Sequence, residues 1–309
     1  MRASLFILFL LISLTVYPQS SDTVYVESDG LKIHTVLTKP EDIDISKLAI
    51  IISGSGPTDL NGNQPNMKNN SLLYLSKKIV SNGIATVRFD KRGVAKSSYN
   101  GFSESGLVVE QYANDVSSII NHYKQIGYKE IYLIGHSEGS LIGLISLQKT
   151  KVKGFISISG AGNSADILLK EQLKPKLPPD FYNQVEVIID SLKNGQTVTN
   201  TPPQLNSLFR QSVQPYLISW FKYQPTELIK DIDCPSLIIN GNSDIQIAVK
   251  EAELLNAAVS NSQLAIIDNM NHVLKEVDGD LQANIATYTN PDMPISDDLV
   301  QRIVEFIKK

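Results

Sequence analysis

Apolar and polar positions change rhythm along the chain. Early on, T-V-Y-V-E-S and L-K-I-H-T-V-L alternate on either side of Asp29-Gly30. Alternation with a period of two gives a strand one buried face, and Asp-Gly readily adopts the left-handed backbone of a tight turn. The pattern therefore predicts a β-hairpin. His34, in its second strand, is expected on an exposed face, without a ligand role. Farther on, short apolar runs alternate with longer segments whose apolar residues recur three and four apart. Strands are predicted at 48–52, 84–89, 130–134, 154–159, 236–240 and 264–268. Helices are predicted at 71–83, 108–124, 140–147, 252–258 and 299–307, the first stopped by Gly83. Apolar strands alternating with helices imply a mostly parallel sheet with right-handed crossovers, an α/β class.

Residues 163–230 break this alternation. They carry no strand pattern, and P-K-L-P-P and N-T-P-P separate helical stretches such as F-Y-N-Q-V-E-V-I-I-D-S-L and Q-P-Y-L-I-S-W-F-K-Y. The segment predicts a helical cap inserted between two core strands. The expected layout is a leader at 1–21, a core at 22–162 and 231–309, and the cap at 163–230. Tyr216, Trp220, Phe221 and Tyr223 in the cap fit either a pocket lining or packing among the cap helices.

Composition narrows the function classes. The chain has 309 residues, 42% hydrophobic and 19% charged, enough apolar mass for a large core. A net charge of -4 without a clustered basic face argues against a nucleic-acid partner. Lys149, Lys151 and Lys153 read as a solvated edge. The single cysteine, Cys234, permits no intrachain disulfide and no thiolate metal site, and is expected to be a small buried apolar residue. At the N-terminus, Arg2 precedes an apolar stretch from Leu5 to Val16, with Ser20 and Ser21 beyond it. The stretch is short for a membrane span and reads as a secretory signal peptide cleaved near residues 19–21; an uncleaved anchor is the alternative. No cysteine follows it to carry a lipid. The expected product is exported, periplasmic or secreted, with no stable membrane insertion after cleavage.

The run I-Y-L-I-G-H-S-E-G-S, residues 131–140, holds the chemistry. Gly135-His136-Ser137-Glu138-Gly139 follows a strand and opens a helix, the context that G-x-S-x-G requires. A sharp strand-to-helix turn leaves no room for flanking side chains and lifts the Ser137 hydroxyl above the sheet edge. A serine needs a base. Of the four histidines, His34 and His122 precede the nucleophile strand and His136 adjoins the serine, so its backbone should point it elsewhere. Only His272, in a loop after the last core strand, satisfies the chain order serine, acid, histidine. Asp244, just past Gly241, is the expected acid, with Asp268 as its rival. The oxyanion hole is expected from two backbone amides: Glu138, after the nucleophile, and Ser55 in the I-I-S-G-S-G-P loop, with Gly56 as second choice. Asp59, Asn61 and Asn63 alternate like calcium ligands. Glycine stands at the fourth loop position instead of the sixth, and Asn70 instead of glutamate at the twelfth, so no metal is expected. No cofactor is expected either.

The motifs S-G-S-G-P-T-D-L-N-G-N, D-K-R-G-V-A-K-S, G-H-S-E-G, G-N-S-D and N-M-N-H-V-L together resemble the α/β-hydrolase superfamily. The likeness is strongest to its exported bacterial serine hydrolases, of the dienelactone-hydrolase-like and serine-aminopeptidase-like kind. It runs over nearly the whole chain after the leader, cap included. It departs at Ser53-Gly54, where many relatives have His-Gly; a backbone donor at Ser55 is unaffected. The resemblance implies a central, mostly parallel sheet and a Ser137–His272–Asp244 triad acting through an acyl-enzyme. The expected activity is hydrolysis of a small-molecule carboxylic ester. Cleavage of amides or peptides by the same triad is one alternative, and silent binding of an apolar ligand another. Arg92, in the D-x-R-G turn, is expected to be structural, pairing with Glu138 or Asp59.

Overall fold

The computed structural model describes residues 18–41 and 46–309. Most of the expected leader, residues 1–17, lies outside this range, whereas residues 19–21 already belong to a strand. Strands β1 (Gln19–Ser28) and β2 (Leu31–Pro40) form the hairpin. Asp29 and Gly30 turn it with φ of 48° and 76°, both left-handed as a type I′ turn demands. Then follow β3 (Lys47–Ile52), α1 (Ser71–Ser81), β4 (Ala85–Phe89), α2 (Val109–Gln125), β5 (Glu130–His136), α3 (Glu138–Leu147) and β6 (Gly154–Ile158). The cap helices are α4 (Ala165–Leu173), α5 (Pro179–Lys193), α6 (Asn206–Phe209), α7 (Gln214–Trp220) and α8 (Pro225–Leu228). The core resumes with β7 (Ser236–Gly241), α9 (Val249–Ala258), β8 (Ser262–Ile267), α10 (Leu281–Ala286) and α11 (Asp297–Lys308).

The strands form one eight-stranded sheet in the order β1-β2-β4-β3-β5-β6-β7-β8. The pairings from β4 to β8 are parallel, and those of β1 with β2 and β2 with β4 antiparallel. The alternation of side chains along β3 shows how both faces fill. Leu48, Ile50 and Ile52 pack toward α2 and α3, against residues such as Val116, Ile119 and Ile142. Ala49 and Ile51 pack toward α1 and α11, against Leu75, Ile79, Leu299 and Ile303. The edge strand β8 departs from this pattern, leaving Leu264 and Ile266 exposed. The cap has its own small core around Val185, Ile189, Leu192, Phe209 and Phe221.

His34 is not on an exposed face. β2 lies between β1 and β4, and His34 is buried with Nδ1 2.7 Å from Asp90 Oδ2. Asp90 also accepts the Leu60 amide at 2.9 Å, tying the 54–63 loop to the sheet end. In that loop Asp59 and Asn63 serve the backbone: Asp59 Oδ1 accepts the amides of Asn61 and Asn63, and Asn63 Oδ1 those of Asn69 and Asn70, while Asn61 Oδ1 accepts from the Arg88 guanidinium.

Candidate active site

The elbow between β5 and α3 follows from sterics. A Cβ on Gly135 would lie 2.4 Å from the carbonyl oxygen of Gly139, and one on Gly139 would lie 2.4 Å from that of Ile52. Glycine at both positions lets strand and helix cross in contact. Between them Ser137 takes φ 55°, ψ −123°, a conformation that costs a side-chain-bearing residue about 1–3 kcal/mol and persists where its surroundings impose it. Those surroundings are the Ser137 amide donating to Ile158 O at 2.9 Å and the Ser137 carbonyl accepting the Ser140 amide at 2.9 Å.

At the ends of neighbouring strands the structure gathers the other expected residues. Asp244 follows β7, with Oδ1 accepting the amides of Gln246 at 2.8 Å and Ile247 at 2.9 Å. Its Oδ2 lies 2.8 Å from His272 Nδ1. The Asp244 side chain is fully buried, which alone would raise its pKa. The neighbouring His272 and the two amides outweigh burial and hold it below the ordinary carboxylate value. A carboxylate only accepts, so Nδ1 donates the proton of this bond and Nε2 points away from Asp244. Asp268, the rival acid, is exposed and accepts from Asn242 Nδ2 instead. His122 lies in the last turn of α2, away from these strand ends. Among the described residues the Ser137 hydroxyl has no hydrogen-bond partner.

The two expected oxyanion donors flank the serine. Gly54 approaches so closely that a Cβ there would sit 3.2 Å from Ser137 Cβ. Among the described residues neither the Ser55 nor the Glu138 amide donates to a protein acceptor. The Ser55 carbonyl, by contrast, is held by Thr58 Oγ1 at 2.7 Å and Gln64 Nε2 at 3.0 Å. Ser55, Ser137 and Glu138 open onto a cavity of about 590 Å³ between core and cap. Leu168, Leu169, Val213, Leu217, Tyr216 and Trp220 supply its cap side. The cap aromatics thus divide. Tyr216 and Trp220 line the cavity, Phe221 is buried in the cap core, and Tyr223 donates to Glu110 at 2.9 Å.

Two contributors were not read from the sequence in these roles. His136 is buried with Nε2 2.8 Å from the His272 carbonyl, so it props the loop that carries His272. Burial first, and the nearby His272 second, push its pKa down to about 4. The second is Lys91. Arg92 pairs with neither Glu138 nor Asp59; its guanidinium meets Asp115 at 2.6 Å and Asp29 at 3.2 Å. Lys91, its neighbour, takes Glu138 at 3.3 Å and donates to Gly54 O at 2.6 Å. Both lie in the turn beyond β4, where Lys91 reaches Glu138 at the serine elbow while the Arg92 guanidinium reaches Asp115 of α2. The D-K-R-G spelling contains both cations and does not say which goes where.

A parallel sheet with a serine elbow after β5 and helices on both faces defines an α/β-hydrolase fold. The family described as serine aminopeptidase, S33, matches residues 68–212, which include Ser137 but neither Asp244 nor His272. No curated protein sequence matches the chain. Several solved esterases share the fold. Est1E from Butyrivibrio proteoclasticus is 16% identical with a TM-score of 0.59, covering 93% of this chain and 99% of its own. A thermophilic esterase from Thermogutta terrifontis is 15% identical with a TM-score of 0.57, covering 93% and 98%. An esterase from Exiguobacterium antarcticum is 17% identical with a TM-score of 0.56, covering 92% and 99%. The chain has the fold of these esterases, and the family match over 68–212 together with that fold supports a hydrolase.

Proposed function

We propose that the protein is a serine hydrolase that cleaves carboxylic esters of small molecules. The observation that carries this reading is the His272–Asp244 hydrogen bond of 2.8 Å, with Asp244 held by the amides of Gln246 and Ile247, which line the cavity onto which Ser137 opens. Ser137 Oγ attacks the acyl carbonyl as His272 Nε2 takes its proton, the two side chains meeting once substrate is in place. The amides of Ser55 and Glu138 receive the oxyanion. The imidazolium, steadied by Asp244, returns the proton to the departing alcohol, and water hydrolyses the acyl-enzyme by the same relay. The three esterases named above agree with this reading, and Est1E has been solved with ferulic acid bound.

The charges on the cavity wall favour an ester over a peptide with a free amino terminus. Holding a substrate ammonium takes an unpaired carboxylate. Glu104 is engaged by Arg210 and Ser212, and Glu138 by Lys91 and Tyr216. Glu171, on the cap, pairs with Lys250. The decisive experiment is hydrolysis of p-nitrophenyl esters, from two-carbon to twelve-carbon acyl chains, by wild type and Ser137→Ala. Turnover in the wild type that falls about 10⁴–10⁶-fold in the variant is expected. Ligand binding without turnover in either protein would instead favour the silent binding reading. Export rests on the 5–16 apolar stretch, and Edman sequencing of the mature protein should start near residue 20.

A further inference from the structure

In a trans peptide the carbonyl and the following N–H point in opposite directions, so whatever grips Gly54 O aims the Ser55 amide. The grip comes from Lys91, whose Nζ donates to Gly54 O at 2.6 Å. The other partner of that ammonium is Glu138 Oε2 at 3.3 Å, and the two side chains are 1% and 2% exposed. Glu138 is also the residue whose own amide is the second oxyanion donor. One ion pair therefore joins the peptide that presents one donor to the residue that presents the other. Tyr216 Oη, from cap helix α7, donates to Glu138 Oε1 at 2.7 Å and closes the cluster from above. The Lys91 ammonium also lies 5.0 Å from the centre of the Tyr112 ring. Stability alone explains such a pair poorly, because well-packed apolar residues of similar volume often stabilise a buried site as much or more. Its placement calls for a catalytic account.

We propose that Lys91 is a positioning residue for the oxyanion hole. It fixes the Gly54–Ser55 peptide plane so that the Ser55 amide faces the cavity, with Glu138 as its counter-charge and Tyr216 as the tie to the cap. This inference rests on the serine hydrolase reading. Lys91 acts through the Gly54 carbonyl and not on the substrate. Its loss should therefore be felt in turnover, when the oxyanion forms, and little in substrate binding.

The test measures kcat, KM and melting temperature for wild type, Lys91→Met and the double variant Lys91→Met with Glu138→Gln. Lys91→Met is expected to lower kcat about 100-fold with KM within about threefold, and to melt earlier because Glu138 is left buried and unpaired. The double variant removes that stranded charge, and its amide oxygen still accepts Tyr216. Its melting temperature should recover while kcat stays low. Recovery of kcat together with stability would make the pair merely structural and overturn the proposal, as would an unchanged kcat in Lys91→Met. Should the Lys91 variants fail to fold, Tyr216→Phe decides. Loss of one hydroxyl at constant shape should lower kcat about three- to tenfold at constant KM, and an unchanged kcat overturns the positioning role. A wild type that neither hydrolyses esters nor reacts at Ser137 with a fluorophosphonate would remove the serine hydrolase reading, and this inference with it. An active wild type matched by equally active variants would remove this inference alone.

Discussion

His136 shows how a residue beside Ser137 can serve the opposite side of the candidate site. Its ring is 5.0 Å from that of His272, and its Nε2–H supports the His272 carbonyl. Burial, and the nearby His272 after it, favour the neutral imidazole and lower the pKa from 6.5 to about 4, against the opposing pull of the bond to the carbonyl. Between those values the unfolded chain binds a proton that the folded one excludes. Stability is thus fully retained above pH 6.5 and declines as pH drops toward 4, by about 3 kcal/mol from this residue. Urea denaturation at pH 7.5 and pH 4.5 should show the decline, and His136→Gln should flatten it. Asp244 acts in a separate window: its depressed pKa contributes stability above pH 3.8 that is lost only as pH falls through the folded value. Asp244→Asn should keep the fold and lower kcat about 10⁴-fold, because an amide facing Nδ1 favours the wrong imidazole tautomer. The elbow position of Ser137 and the pairing of His272 with Asp244 were legible because chain order in a known turn context picks each from very few choices. His136, Lys91 and His34 were not, because their roles depend on which way a side chain leaves its strand and what the tertiary fold lays against it.

At the scale of elements, the β5–α3 elbow ties the fold to the chemistry. A Cβ on Gly139 would meet Ile52 O at 2.4 Å and Ser53 O at 2.8 Å, both backbone atoms that cannot rotate aside. Gly139→Ala must push α3 away from the end of β3, and so separate the Glu138 amide from the 53–56 loop. A loss of stability of about 1–3 kcal/mol is expected, together with a fall in kcat larger than for a core Ile→Val of similar stability effect. Paired melting and rate measurements on the two variants test it. The strands and long helices were readable because periods of two and 3.6 dominate them. Element ends were less so: α3 begins at Glu138, earlier than its apolar pattern, because the elbow sets the start. Helix α10 gave no signal, since it is short and leaves Leu281 and Ile285 in solvent.

For the whole molecule, the cap supplies one wall of the cavity onto which Ser137 opens. It is docked through polar ties: Tyr216 to Glu138, Tyr223 to Glu110, and Ser219 Oγ accepting the Val109 amide at 2.9 Å. The sequence announced a helical insertion, but not the cavity, whose shape emerges only when α4 and α7 settle over the strand ends. Leu168 and Leu169 of α4 form part of its apolar wall. An acyl chain lying there gains about 0.8 kcal/mol for each methylene it buries. Leu168→Trp fills that space from the cap side without touching Ser137, His272 or the amides. The ratio of kcat/KM for eight-carbon over two-carbon p-nitrophenyl esters should fall about 10–100-fold, the range that lost contact with one or two methylenes produces. The two-carbon ester should stay within about threefold of wild type, because its acyl group does not reach α4. A uniform fall for both esters would mean that the bulk disturbs the oxyanion loop. An unchanged ratio would put the acyl chain along the opposite wall, near Phe102 and Leu107, and assign α4 to the alcohol side of the ester.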